Sequence, residues 1–89
     1  MSERSAMIHQ RLTRALNPVK LEIVDESAKH AGHAGAASGG GHFIVTIVSK
    51  AFENKSLIQR HRLVYDAVDD IMHSEIHALS IQASTPDES

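Results

Sequence analysis

Cysteine and tryptophan are absent from this 89-residue chain, and proline occurs only as Pro18 and Pro86. Without cysteine the chain forms no disulfide, carries no thiol nucleophile and offers no all-thiolate metal site of its own. Two Phe and one Tyr are the only aromatic residues, so any core is mostly aliphatic. No apolar run approaches the ~20 residues needed to span a bilayer. The opening MSERSAMIHQR has no signal-type apolar region and contains an acidic residue, so no targeting segment is expected and a cytoplasmic location is the default. The formal charge of −2 does not suggest a general nucleic-acid binder, whose affinity comes from neutralising phosphates.

What is present is a 42% hydrophobic share, enough for one core, and seven histidines. The length sets one small domain over residues 1–89, with a core of about 5–83. Such a domain buries only about two thirds of its unfolded surface. Its organising stretch is HFIVTIVSKAFENKSLIQRHRLVY, His42 to Tyr65. His42 to Ser49 is short, β-branched and apolar on both faces, which predicts a central strand. Ala51 to Lys55 break that pattern, and Asn54 tolerates a left-handed turn. Ser56 is the expected N-cap of a helix whose stripe is Leu57, His61, Val64, Val68 and Ile71.

Upstream, Ser5 to Leu16 reads as a helix with Met7, Ile8, Leu12, Ala15 and Leu16 on its apolar side. Asn17-Pro18 ends it. Val19 to Val24 alternates as a half-buried strand, with Val19, Leu21 and Ile23 on the inner face. Residues 28–41, AKHAGHAGAASGGG, form a flexible loop. His73 to Glu75 make a turn, Ile76 to Ala83 a third strand, and 84–89 a polar tail that frays.

The order is α-β-β-α-β, an α+β fold with a three-stranded mixed sheet and helices on one face. The first two strands pair antiparallel, and the helical crossover makes the second and third parallel. His42, His77 and the loop histidines His30 and His33 then gather at one end of the sheet. Neutral imidazoles are metal ligands, and two or three of them suit an open site that a partner completes. Lys50, Lys55, Arg60 and Arg62 surround the turn and helix start, as solvated side chains or as a patch for an acidic partner or a nucleic-acid backbone. His61 lies on the apolar stripe and reads as structural. No nucleophile elbow occurs, and adjacent Asp25 and Glu26 point to opposite faces of a strand, so no enzyme is expected.

LEIVDES before a His-bearing loop, then GHFIVTIVS, RHRLVY and IHALSIQASTP, resemble the BolA family over roughly residues 8–86. The resemblance implies a fold similar to the class II KH domain. It also implies a heterodimer with a monothiol glutaredoxin, bridged by a [2Fe-2S] cluster shared with glutathione, and no cofactor when the chain is alone. The roles implied are iron–sulfur cluster maturation or trafficking, or iron regulation. His77 of IHAL and loop His30 match the family's cluster ligands, with His33 as a further candidate; paired imidazoles on one iron are known chemistry. The alternative is a DNA-binding transcriptional regulator of stress response and morphology using residues 50–65, with weak DNA binding and self-pairing left open. Phe52-Glu53-Asn54 stands where many members have Phe-x-Gly, and a Gly-x-x-Gly nucleic-acid grip is missing.

Overall fold

The computed structural model describes residues 3–26, 41–72 and 76–88. Among these, helix α1 spans Glu3–Leu16, strands β1 and β2 Lys20–Asp25 and Gly41–Val48, helix α2 Leu57–Ala67 and strand β3 Ile76–Ser84. Single 3-10 turns at Lys50–Phe52 and Asp69–Ile71 flank α2. The sheet order is β1-β2-β3, with β1 antiparallel and β3 parallel to β2. This is the expected α+β architecture, and β2 is its central strand.

Alternation along β2 sets the layers. Phe43, Val45 and Ile47 are fully buried against both helices, whereas His42, Ile44 and Thr46 on the opposite face are half-buried. α1 contributes Ile8, Leu12 and Leu16 to this core, and α2 with its following turn contributes Val64, Val68 and Ile71. Both helices therefore cover one face of the sheet. Leu21 and Ile23 pack from β1 as the alternation predicted, but Val19 precedes the strand and is 65% exposed.

Three other differences concern the helices and the turn before α2. Ala15 and Leu57 fall on the apolar stripes of the two helices, yet both are exposed. Periodicity places a residue around a helix axis but does not say how far along that axis, or how wide around it, the core extends. The α-helix also stops at Ala67, where the Val68 backbone leaves helical geometry and Ile71 reaches the core from the 3-10 turn instead. Phe52, read as part of a pattern break, is completely buried.

The turns are made by residue chemistry. Asn17 adopts φ 45° and donates its N–H to the Thr13 carbonyl at 3.1 Å, closing α1 in the left-handed region that asparagine tolerates. Asn54 adopts φ 63°, doing by the same tolerance what glycine does elsewhere. Ser56 caps α2 as expected: its hydroxyl accepts from Gln59 N–H, and the Gln59 side chain accepts from Ser56 N–H. Buried Ser49 joins three elements. Its hydroxyl donates to Leu16 O at 2.6 Å and accepts from Ala51 N–H, while its own N–H donates to Ser84 O. Arg11 of α1 binds the carboxylate of Asp70 beyond α2 and holds it below the ordinary carboxylate range.

Candidate functional site

The histidine end of the sheet follows from strand register. Gly41 pairs with Ile76 and His42 with Ala78, so one extra residue, His77, sits at an irregularity between the two pairs. Irregularities of this kind locally change a strand's twist and are common beside functional sites. β1 leaves the sheet at the same end, where Asp25 pairs with Phe43 and Glu26 N–H donates to His42 O at 2.8 Å. Glu26 and Gly41 thus bracket, at one end of the sheet, the segment that carries His30 and His33. The backbone of His77 lies at that end too. His30 and His33 themselves lie outside the described residues, as does the 73–75 turn. Among the described residues no three His, Cys, Asp or Glu side chains come together as a metal-holding group.

The basic cluster divides. Lys50, Lys55 and Arg62 are exposed. Arg60 is not free: its guanidinium meets the Glu88 carboxylate at 2.6 and 3.0 Å, and donates to the carbonyls of Lys55 at 3.1 Å and Ala83 at 3.3 Å. Its side chain retains 14% exposure. Glu88 also accepts from Thr85 N–H at 2.8 Å. These hydrogen bonds, that from Arg60 foremost, pull the Glu88 carboxyl down to about 2. The tail that was expected to fray is therefore docked at least through Glu88, because its carboxylate finds a bidentate donor.

The RHRLVY stretch gains a structural meaning from this. Ser84 O is used on the β2 side by Ser49 N–H, so Ala83 O, one residue earlier, faces the free edge of β3. Leu79 O, four residues before that, faces the same way. Arg60 covers the first of these carbonyls and the Tyr65 hydroxyl donates to the second at 3.3 Å. Two side chains of α2 thus blunt an edge strand that would otherwise offer an open row of backbone groups. Sequence reasoning missed Tyr65 and Glu88; Tyr65 carries no charge and Glu88 lies 28 residues from its partner.

A family model described as BolA-like protein matches residues 12–88. The chain belongs to the BolA-like family. Among curated relatives, this BolA-like chain is 46% identical over 99% of its length to SufE-like protein 1, chloroplastic/mitochondrial, of Arabidopsis thaliana, covering 25% of that protein. It is 44% identical over its whole length to Protein BOLA1, chloroplastic, of the same plant, covering 58% of it. The chain therefore spans between a quarter and three fifths of these two relatives. Among solved structures, the BolA domain of SufE1 from Arabidopsis thaliana superposes with a TM-score of 0.86 at 46% identity, covering 100% of this chain and 99% of that one. Neither the family description nor these names indicates catalysis. No helix among the described residues is long and apolar enough to cross a membrane.

Proposed function

We propose that this BolA-like protein is a non-enzymatic partner of a monothiol glutaredoxin, and that the pair carries a [2Fe-2S] cluster as cargo for iron–sulfur maturation, trafficking or iron regulation. The observation that supports this most directly is the register at the histidine end. His77 lies one position beyond the Gly41–Ile76 pair, and Gly41 is where the segment bearing His30 and His33 re-enters the sheet.

The donor chemistry fits half of a shared site. This chain has imidazoles and no thiolate, so His77 with His30, or His33 in its place, would supply two nitrogen ligands. The remaining thiolates would come from the glutaredoxin cysteine and glutathione. When held in this way, the cluster supplies iron and sulfide for transfer to an acceptor. The name of the SufE-like relative, which contains a domain of this kind, points toward the same iron–sulfur chemistry.

The alternative, a DNA-binding regulator acting through Lys50, Lys55, Arg60 and Arg62, is supported less well. Its four cations are reduced to three on the surface because Arg60 is tied to Glu88.

The test combines this protein with a monothiol glutaredoxin, glutathione, iron and sulfide. A 1:1 complex with the visible absorption and circular dichroism of a [2Fe-2S] centre is expected. His77→Ala should change or abolish that spectrum while its far-ultraviolet spectrum stays native. An unaltered visible spectrum in His77→Ala would remove His77 from the ligand set, and failure of any complex to form would reject the reading.

A further inference from the structure

The pole of the molecule opposite the histidines carries a second surface. Val48 pairs with Ser84, so the chain leaves β2 and starts α2 at the far end of the sheet. His77 precedes Ser84 by seven positions, roughly 23 Å of strand at ~3.3 Å per residue. Here two large aliphatic side chains face water: Leu57 is 65% and Ile58 68% exposed. Isolated exposed apolar residues are ordinary, but Ile58 stands beside a concavity along α2, whereas Leu57 lies about 100° further round the helix, toward the core stripe. Lys55, Gln59, Arg62 and Leu63 line a groove of about 230 Å³ along α2. Ile58 and Arg62 are neighbours one helical turn apart on the same side.

Charge says what covers this surface. Lys50, Lys55 and Arg62 are exposed, and no ion pair engages them among the described residues. Asp66, one turn beyond Arg62, is likewise not paired to it. In a chain of net charge −2, the stretch from Lys50 to Arg62 sets three cations free of ion pairs against one carboxylate, Glu53, a local inversion of the average. A nucleic-acid backbone would use the cations but leave Leu57 and Ile58 against phosphate and sugar. A peptide with acidic and aliphatic residues uses both.

We propose that the start of α2, from Lys55 to Leu63, is a docking surface for an acidic, leucine-bearing peptide segment of a partner protein, and that it remains accessible while the histidine end is engaged. The aliphatic side chains anchor the segment, and Lys55 and Arg62 set its sign and speed its approach.

The experiment titrates the isotope-labelled full chain with a synthetic peptide of Asp, Glu and Leu, and separately with the same peptide carrying Ser for Leu. A mixed-sequence DNA duplex is the third ligand, all at physiological salt. Amide shifts from the leucine peptide are expected over Lys55–Leu63, with Gly41–Phe43 and Ile76–Ala78 unmoved. Ile58→Ser, on an exposed site that leaves the core intact, should weaken binding about tenfold or more. The double variant Lys55→Glu, Arg62→Glu should lose the acidic peptide and gain a Lys-and-Leu peptide in its place. Equal binding of the serine peptide would overturn the proposal in favour of plain polyanion attraction. Tighter binding of the duplex through the same residues would overturn it in favour of a nucleic-acid surface. Absence of shifts over Lys55–Leu63 with the leucine peptide would reject the surface altogether.

Discussion

The Arg60 guanidinium and the Glu88 carboxylate meet in two parallel hydrogen bonds of 2.6 and 3.0 Å, joining α2 to the end of the described chain. The same guanidinium holds Ala83 O at the free edge of β3, so one side chain fastens the tail and shields the sheet. Arg60 is thereby a structural cation, whereas Arg62, two residues on and about 200° around the helix, faces water.

This pairing has a defined pH signature. The Glu88 carboxyl is depressed from 4.5 to about 2, so its contribution to stability is fully present above 4.5 and is lost as pH falls through about 2. The thermal midpoint of the wild type should exceed that of Glu88→Gln at neutral pH. The difference should shrink between pH 4.5 and about 2, because the folded-state carboxylate protonates across that window. Thermal unfolding of both proteins over this range checks it. A midpoint difference that persists undiminished at pH 2 contradicts the assignment.

Phe52 is fully buried at the 3-10 turn ahead of α2. Phe52→Ala should destabilise the fold by about 3–5 kcal/mol, the usual cost of emptying an aromatic site in a core. Urea unfolding is the measurement, and a change below ~1 kcal/mol would show that the turn is not part of the core.

Ser49 is 1% exposed and its hydroxyl donates to Leu16 O at 2.6 Å. Ser49→Ala leaves that carbonyl and the Ala51 N–H without their partner, which should cost about 1–3 kcal/mol. Faster hydrogen exchange at Ala51 and the end of α1 should accompany it. A loss of stability without local exchange would place the effect elsewhere.

The two loop histidines should differ. His30 is three residues beyond Ser27 and close to the end of β1, whereas His33 lies among Gly32, Ala34 and Gly35. Ordering the longer, glycine-flanked path costs more, at ~1–2 kcal/mol per residue fixed. His30→Ala should shorten the lifetime of the glutaredoxin-shared cluster, His33→Ala should do little, and the double variant should be worse than either. Stopped-flow transfer to an apo acceptor measures all three, and a larger effect from His33→Ala reverses the order.

Local sequence determined the elements and their punctuation. The β-branched run after Gly41 forms a strand flanked on both sides, Ser56 and Gln59 open α2, and Asn17 and Asn54 take the left-handed positions. These depend on contacts within a few residues, where side-chain chemistry and backbone preference act directly. The order of elements also determined the sheet, since a helical crossover makes β3 parallel to β2 and brings the backbones of His42 and His77 to one end.

Tertiary structure alone decided which residues of each pattern are used. It left Leu57 and Ala15 in water, drew Phe52 inside, and turned Arg60 from a surface charge into the partner of Glu88. Each outcome depends on where a helix ends relative to the sheet, or on a contact such as Arg60–Glu88 between residues 28 apart. Periodicity carries the angle of a residue around its own axis. It carries nothing about what another segment brings to meet it, and that meeting fixes both the core and the free surface beside it.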